Sequence, residues 1–257
     1  MLALIGLGLG KGDISIKAAE FLKKADNIMY EEYTANIQEG YIEEISKMSG
    51  KEPEKISRKD LEDNVKATVK KAKSAEVALL FPGDPLVATT HHIIMDEAAA
   101  QGIRTAVFHA PSIFTAAIGE SGLDIYKFGP TATIPKFSRN YRPTSFIELI
   151  KRNYDNGQHT LVLFDVGEDT GSSMKTAEAV SILTEAMKLE SVEFADTKAI
   201  MISDIGRKGQ KIAYLDINSI TRTHGHSNDS KTQMACMIIP SKMSFAEEHA
   251  VLRHAAR

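Results

Sequence analysis

Cysteine is almost absent from this sequence, because Cys236 is the one cysteine among 257 residues. A single thiol can form no intrachain disulfide, and it excludes metal sites built on several thiolates. We therefore expect Cys236 to be a small buried residue in a protein of a reducing compartment.

The sequence also lacks a strong net charge and a long apolar run. Its formal net charge of -3 and its isoelectric point near 6.3 give no general attraction to phosphate backbones, so no direct nucleic-acid binding is expected. No apolar stretch approaches the length of a membrane span, and the first residues lead into an apolar run without a basic leader. We expect a cytoplasmic protein with no membrane partner.

What the first half does contain is a regular alternation of strand-like and helix-period segments. The composition, 43% hydrophobic and 25% charged residues, is that of a globular protein. Apolar residues three and four apart predict helices, one capped by Asp13 and another over residues 58–73 capped by Ser57. Such alternation is typical of a doubly wound, mostly parallel sheet. The predicted strands are residues 2–6, 27–30, 77–81 and 105–108.

The second half has a different pattern, with a helix that begins at Ser145, a long helix over residues 176–189 and a last helix capped by Ser244. Its later strand candidates follow one another with little helix between them, which indicates a mixed sheet with antiparallel pairs. We predict an α/β protein with an N-terminal domain of residues 1–112 and a C-terminal domain of residues 113–257. The strand candidates are residues 132–135, 160–166, 199–203, 211–215 and 234–239.

The segment of residues 81–92 joins a predicted strand to a predicted helix and contains one carboxylate, Asp84, in a turn between two prolines. Open α/β sheets bind their ligands at the carboxyl ends of their strands, which makes Asp84 a candidate binding residue. The alternative is a plain connector in which proline and glycine turn the chain and Thr89 or Thr90 caps the helix. The turn chemistry alone favours the connector.

Two nucleotide-binding motifs can be tested at the glycine-rich turn of residues 6–10. The dinucleotide fingerprint fails because Lys11 occupies the place of its third glycine. The phosphate-binding P-loop fails because Gly12 stands where a serine or threonine binds magnesium. Glu31 or Glu32 could still serve as the acidic partner of a dinucleotide, so nicotinamide binding remains a weak alternative.

Metal sites and nucleophilic catalysis find no support in the sequence. The adjacent histidines at residues 91–92 and the pair His224 and His226, with Asp229 nearby, lack the spacing of a hydrolytic zinc site. No nucleophile elbow of the G-x-S-x-G type exists, and the apolar run around Cys236 disfavours a thiolate. We predict no metal, and the sequence identifies no catalytic residue.

Six segments in the first 165 residues carry a resemblance to a known family. They are IGLGL at 5–9, PGDPLVATTH at 82–91, APSI at 110–113, GLDIYKFG at 122–129, PTS at 143–145 and LVLFD at 161–165. In these segments the chain resembles the diphthine synthase family, which belongs to the tetrapyrrole-methylase-like class of S-adenosylmethionine-dependent methyltransferases. Six segments in the family's order make chance agreement improbable.

The resemblance implies a two-domain α/β fold, parallel in the first domain and mixed in the second, with the cofactor in a cleft between them and a homodimeric assembly. It implies that Asp84 accepts hydrogen bonds from the cofactor and that Ser112 contacts its polar atoms, while apolar residues form the walls. The alternative for the apolar residues is ordinary core packing. The implied cofactor-binding residues are Leu9, Asp84, Val87, Ser112, Ile113, Phe164, Ile205 and Ala235.

The last two of these residues lie where the chain departs from the family pattern. Gln233, Met234 and Ala235 stand where a histidine is usual, and the segment PSKMSF at 240–245 departs from the family's PGKLH pattern. Backbone contacts to the cofactor would survive such side-chain changes.

The implied reaction is methyl transfer from S-adenosyl-L-methionine to the amino group of a 3-amino-3-carboxypropyl-histidine of translation elongation factor 2, with S-adenosyl-L-homocysteine as product. We expect trimethylation in diphthamide biosynthesis, with a tetramethylated product as the alternative, while the number and the order of the methylations stay open. One alternative is a related methyltransferase that acts on a tetrapyrrole or on ribosomal RNA. The other is a nicotinamide-dependent oxidoreductase or a nucleotide-binding module without catalysis.

Overall fold

The computed structural model describes residues 1–166, 173–194, 198–217, 219 and 234–255. The chain divides into two compact units, Met1–Ile113 and Phe114–Arg257. Each unit is built on one five-stranded sheet. A helix able to cross a membrane is absent from the described residues, whose longest helix has 14 residues.

The first unit alternates strands and helices around a parallel sheet. Its elements are β1 (Leu2–Gly6), α1 (Ile16–Lys24), β2 (Asn27–Tyr30), α2 (Tyr41–Ser49), β3 (Glu54–Lys55), α3 (Arg58–Glu62), α4 (Val65–Lys70), β4 (Val77–Phe81), α5 (His92–Ala100) and β5 (Thr105–Phe108). The strand order is β3-β2-β4-β1-β5, and all of these pairs are parallel. The predicted doubly wound parallel sheet is confirmed.

The central strands show why helices cover both faces of this sheet. β1 and β4 are apolar and buried along their whole length, and neighbouring side chains of a strand point to opposite faces. Leu79 belongs to one core cluster together with Val69 of α4. Leu80, the next residue, belongs to another cluster with Leu22 of α1. Continuous apolar strands of this kind are typical of parallel sheets that are buried on both sides.

The predicted single helix over residues 58–73 is wrong, although its capping box is present. The Ser57 hydroxyl accepts a hydrogen bond from the Asp60 N–H at 3.4 Å, and the Asp60 carboxylate accepts one from the Ser57 N–H at 2.8 Å. The helix is then interrupted at Asp63 and Asn64, between α3 and α4. Short polar side chains compete with the helical backbone for hydrogen bonds, which explains a break at this point.

The second unit is built on a mixed sheet. Its elements are α6 (Ile113–Ser121), which begins at the boundary, β6 (Ala132–Ile134), α7 (Ser145–Asp155), β7 (Thr160–Phe164), α8 (Thr176–Leu189), β8 (Lys198–Ser203), β9 (Lys211–Asp216), β10 (Ala235–Ile239) and α9 (Phe245–Val251). The strand order is β6-β7-β10-β8-β9, with β6 and β7 parallel and the other pairs antiparallel. The predicted mixed sheet is confirmed.

Cys236 lies inside this second sheet. It pairs with Leu163 of β7 and Ile202 of β8, and it is 1% exposed. Burial raises the pKa of its thiol to about 12, so it carries no thiolate near neutral pH. The residue is therefore part of the core and not a nucleophile.

The last helix, α9, is held by the carboxylate of Glu247, which is buried. Glu247 Oε1 accepts hydrogen bonds from the Asp124 N–H at 3.0 Å and from His159 Nε2 at 2.9 Å. Glu247 Oε2 accepts from Lys127 Nζ at 2.6 Å and from the Ser244 N–H at 2.7 Å. The bond with Ser244 is part of the predicted capping box, which is confirmed. These donors fix α9 to the segment that contains Asp124 and Lys127.

The proton positions in this cluster follow from the partners of His159, which is fully buried. His159 Nδ1 accepts a hydrogen bond from the Ser241 N–H at 3.0 Å, so Nε2 carries the proton donated to Glu247. Burial lowers the pKa of His159, and the hydrogen bond to Glu247 opposes this only in part. Burial raises the pKa of the Glu247 carboxyl, but the hydrogen bonds from Lys127, the backbone and His159 outweigh it and hold that pKa well below its usual range.

Replacing Glu247 by alanine should lower the free energy of unfolding by about 3 kcal/mol, because the buried imidazole N–H loses its acceptor and the Lys127 ammonium loses its carboxylate partner. Urea unfolding followed by circular dichroism measures this loss. Glu248→Ala, at an exposed position of the same helix, is the matched control and should change the free energy by less than about 0.5 kcal/mol. Equal losses in the two variants would contradict the role of Glu247.

The stability advantage of the wild type over Glu247→Gln should shrink as the pH falls. The pKa of Glu247 is lower in the folded state than its ordinary value of 4.5, so its contribution is present above that pH and is lost on acidification. Urea unfolding of both proteins between about pH 6 and about pH 3 tests this, because the loss occurs below pH 4.5. A constant difference would count against the assignment.

Candidate functional site

The carboxyl ends of β1, β4 and β5 lie side by side in the first sheet, since β1 is hydrogen-bonded to both of the others. Each strand is followed by a loop, formed by residues 7–15, 82–91 and 109–112 respectively. We call these three loops the loop edge. Ligands of open parallel sheets bind at this kind of edge.

Glycines allow two of these loops to touch through their backbones. The Gly8 N–H donates to the Gly83 carbonyl at 3.1 Å, and the Gly83 N–H donates back to the Gly8 carbonyl at 2.8 Å. A Cβ atom on Gly6 would lie 2.6 Å from the Gly83 oxygen and 2.8 Å from the Ala110 Cβ. A side chain at residue 6 would therefore force the three loops apart.

Asp13 shapes the first loop, and the prediction that it caps α1 is wrong. Its Oδ2 accepts hydrogen bonds from the backbone N–H groups of Leu9 at 2.9 Å and Gly10 at 3.0 Å. The cap of α1 is Ser15, whose hydroxyl accepts from the Ala18 N–H at 3.2 Å. The carboxylate therefore holds the backbone of the predicted cofactor residue Leu9 in place.

Asp84 joins the second loop to the third. Its side chain is 5% exposed. Its Oδ1 accepts a hydrogen bond from the Leu86 N–H at 3.0 Å, and its Oδ2 accepts from His109 Nδ1 at 2.8 Å and from the Ala110 N–H at 3.2 Å. A carboxylate has about four acceptor positions, so about one remains for a ligand. Asp84 thus links the second and third loops and still has about one acceptor position for a ligand.

The end of the second loop differs from the plain connector considered above. The residue before α5 is His91, and no side chain caps the helix, so capping by Thr89 or Thr90 is wrong. His91 is buried, its ring lies 4.2 Å from that of Phe81, and its Nδ1 donates to the Pro85 carbonyl at 2.9 Å. Burial lowers the pKa of His91, so its ring stays neutral and forms part of the core.

One residue of this loop has an unusual backbone conformation. Ala88 has φ of 57° and is exposed. Residues other than glycine seldom adopt this left-handed region, which has a cost of about 1 kcal/mol. Strained residues concentrate at sites of function, and Ala88 directly follows the predicted cofactor residue Val87.

The first unit brings five of the predicted site residues to the loop edge or directly beside it. Leu9 and Val87 are half-buried, while Asp84 and Ser112 are buried and Ile113 begins α6. Half-buried apolar side chains beside buried polar ones are the usual lining of a small-molecule site.

The second unit brings the other three predicted residues to one edge of its own sheet. Phe164 ends β7, Ala235 begins β10 next to it, and Ile205 follows the end of β8. Phe164 and Ile205 are buried, and Phe164 belongs to the main core cluster of this unit. Core packing is sufficient to explain the burial of Phe164.

The acidic residues considered for nicotinamide binding have other roles. Glu31 has no exposed surface, and its Oε2 accepts hydrogen bonds from the N–H groups of Tyr33 at 2.8 Å and Thr34 at 3.0 Å. Burial raises its pKa to about 7 against the effect of these bonds. Glu32 forms an ion pair with Lys55 at 2.8 Å. Glu31 has no exposed surface with which to bind a ribose, and Glu32 is already paired with Lys55, so the dinucleotide alternative is not favoured.

Among the described residues, no group of three histidine, cysteine, aspartate or glutamate side chains is placed to hold a metal ion. His224, His226 and Asp229 lie outside the described residues.

His109 is the polar residue of the loop edge that the sequence patterns missed. Its ring is 69% exposed although it is hydrogen-bonded to the buried Asp84. Its position directly after β5, at the same edge as Asp84, was the signal available in the sequence, because the ends of parallel strands meet there.

Three comparisons place the chain among known proteins. A family model for Tetrapyrrole (Corrin/Porphyrin) Methylases matches residues 1–220. The chain is 37% identical over 256 residues to the diphthine synthase of Methanocaldococcus jannaschii, covering 98% of this chain and 97% of that protein. It is 35% identical over 254 residues to the diphthine synthase of Methanococcus vannielii, with 98% and 97% covered. A crystal structure of diphthine synthase superposes with a TM-score of 0.86 at 31% identity, covering 99% of this chain and 95% of that one.

Gly8→Ala should destabilise the chain by about 3 kcal/mol, whereas Gly12→Ala should cost about 1 kcal/mol. Both glycines have a positive φ, but a Cβ on Gly8 would lie 2.1 Å from the Asp13 Cβ and a Cβ on Gly12 would meet no atom within 4 Å. The pair of variants therefore separates the clash from the backbone strain. Urea unfolding measures both, and equal losses would contradict close packing at the loop edge.

Proposed function

Because this chain belongs to the tetrapyrrole methylase family and, within it, to the diphthine synthases, we propose that it methylates translation elongation factor 2. It is a methyltransferase of diphthamide biosynthesis. The end-to-end similarity to diphthine synthases carries this proposal. That similarity does not favour a tetrapyrrole, ribosomal RNA or nicotinamide-dependent reaction.

The proposed methyl donor is S-adenosyl-L-methionine, and the loop edge fits such a ligand. It offers a buried carboxylate with an acceptor position left, the backbone of a glycine-rich loop, and half-buried apolar side chains at Leu9 and Val87. When bound, the sulfonium of the donor supplies an electrophilic methyl group. S-adenosyl-L-homocysteine is then the product.

We propose roles for the residues that the sequence predicts to bind the cofactor. Asp84 accepts a hydrogen bond from a hydroxyl or amino group of the cofactor, and Ser112 contacts its polar atoms. The apolar residues form walls that exclude water from the reacting atoms. The proposed apolar contacts are Leu9, Val87, Ile113, Phe164, Ile205 and Ala235.

The proposed acceptor is the amino group of a 3-amino-3-carboxypropyl-histidine of the elongation factor. Such an amine has an ordinary pKa of about 8, so part of it is neutral near pH 7. The protein must then align the amine in line with the carbon–sulfur bond of the donor and exclude competing water. It has less need to activate the donor. We propose three successive methylations, by a homodimer that works in the cytoplasm without contact to a membrane or nucleic acid.

Incubation of the chain with methyl-labelled S-adenosyl-L-methionine and the unmethylated precursor form of elongation factor 2 should add three methyl groups to the modified histidine. Mass spectrometry of the digested factor locates and counts them. The same factor without the 3-amino-3-carboxypropyl group is the control and should gain no label. If the precursor also gains none, the proposed substrate is wrong.

Asp84→Asn should weaken the binding of S-adenosyl-L-methionine about tenfold, because the amide replaces one acceptor oxygen by a donor. Isothermal titration calorimetry measures the affinity, and circular dichroism checks that the variant is folded. Asp96→Asn, at an exposed position of α5, is the matched control. Unchanged affinity in a folded Asp84→Asn protein would show that Asp84 serves the loops alone.

A further inference from the structure

We propose that His109 is the general base of the methyl transfer and that Asp84 is the residue that positions its ring. This inference rests on the proposed function, because it assigns a proton acceptor to that reaction. Three observations carry it: the orientation of the ring, its exposure, and its place on the loop edge.

The orientation follows from the partner of the ring. An ionised carboxylate accepts hydrogen bonds and donates none, so the 2.8 Å contact with Asp84 Oδ2 requires the proton on His109 Nδ1. In a neutral imidazole the other nitrogen, Nε2, then has a free lone pair. Asp84 is itself fixed by the N–H groups of Leu86 and Ala110, so the ring is held by a rigid acceptor. Hydrolytic triads use a buried carboxylate to hold a histidine in the same way.

The exposed fraction of its side chain distinguishes His109 from the histidines that are packed in the core. His91 and His159 are 4% and 0% exposed, and hydrogen bonds fix them among buried groups. His109 is 69% exposed although one of its nitrogens is bound to a buried acid. Among the described residues, no group is hydrogen-bonded to its second nitrogen, which is therefore accessible to a ligand. This open nitrogen lies on the loop edge, where Asp84, Val87 and Ser112 are proposed to bind the donor.

The reaction requires an acceptor of this kind. Near neutral pH most of the substrate amine carries an extra proton, which must leave before the nitrogen lone pair can react. His109 Nε2 takes this proton. The nitrogen then forms a bond to the methyl carbon while the carbon–sulfur bond breaks, and the bonding electron pair goes to sulfur, which becomes a neutral thioether. The methylated amine is again a cation.

Repetition makes the base more important. Each of three rounds replaces one N–H bond by an N–CH₃ bond, so conversion of a primary ammonium into a trimethylammonium group releases three protons. The base must therefore lose its proton between rounds. The exposed ring of His109 can pass it to water, which a buried acid such as Glu31 could not do as readily.

His109→Asn tests this assignment with little change in structure. The amide nitrogen of asparagine can take the place of Nδ1 and donate to Asp84, but the side chain has no basic nitrogen. We expect the thermal unfolding temperature and the calorimetric affinity for S-adenosyl-L-methionine to stay close to the wild type. We expect the rate of methyl transfer at saturating donor to fall about 100-fold, as is typical for loss of a general base.

Two further readouts distinguish a base from a structural residue. The rising limb of the rate against pH should move to higher pH in His109→Asn, since the amine must then lose its proton to water. Within the described residues, Asp84 is the charged group hydrogen-bonded to the ring and is present in both proteins. In the wild type, nitrogen NMR of the imidazole, assigned by its absence in the variant, should show a protonated Nδ1 and a bare Nε2.

His92→Asn is the matched control, because His92 is an exposed histidine of the same unit and has no role in the proposed site. It should keep the wild-type rate and pH profile. A folded His109→Asn protein with the wild-type rate and pH profile would overturn the base while leaving the methyltransferase intact. A wild-type chain that binds the donor but transfers no methyl group to the elongation factor precursor would reject the proposed function and, with it, the base.

Discussion

The loop edge of the first unit depends on one constraint, the direct backbone contact between Gly8 and Gly83. The strands β1 and β4 are neighbours, and their following loops meet at two residues with positive φ, 72° for Gly8 and 68° for Gly83, which glycine adopts without strain. With the loops this close, the carboxylate of Asp84 reaches across to His109 and Ala110 at the end of β5. The proposed donor site and the proposed base are consequences of the same close approach.

Sequence motifs and functional residues overlap only in part in this protein. In the segment GLDIYKFG, the Asp124 N–H and the Lys127 ammonium bind Glu247 of α9, so these residues hold the second unit together. In the segment PGDPLVATTH, Asp84 combines a structural and a proposed ligand role, whereas His91 belongs to the core. A family motif can therefore reflect folding as much as chemistry, and contacts in the structure are needed to separate the two.

Physical patterns predicted the sheets better than the helices and loops. Buried strands such as β1 and β4 are continuous apolar runs, which are easy to find in a sequence. The presence or absence of helices between the predicted strands then indicated a parallel sheet in the first unit and a mixed sheet in the second. Helix α2 was not predicted because it begins after Gly40 without a side-chain cap. Helix α6 was not predicted because its polar residues do not alternate with apolar ones at a clear helical period. Asp13 was predicted to cap α1, but its carboxylate accepts hydrogen bonds from the N–H groups of Leu9 and Gly10 instead. The conformation of the loop determines this, and the sequence pattern does not reveal it. His109 was not predicted as a site residue because its proposed role depends on a hydrogen bond to Asp84, which lies 25 positions away in the sequence.

The burial of Cys236 has a practical consequence for following this protein in solution. Its thiol lies between β7 and β8 at the centre of the second sheet, and its raised pKa keeps it protonated. A thiol reagent can reach it only when those strands separate. Because the chain has one cysteine, the rate at which a reagent alkylates it measures how often the second sheet opens. Motions of the loop edge do not expose this thiol and do not change that rate.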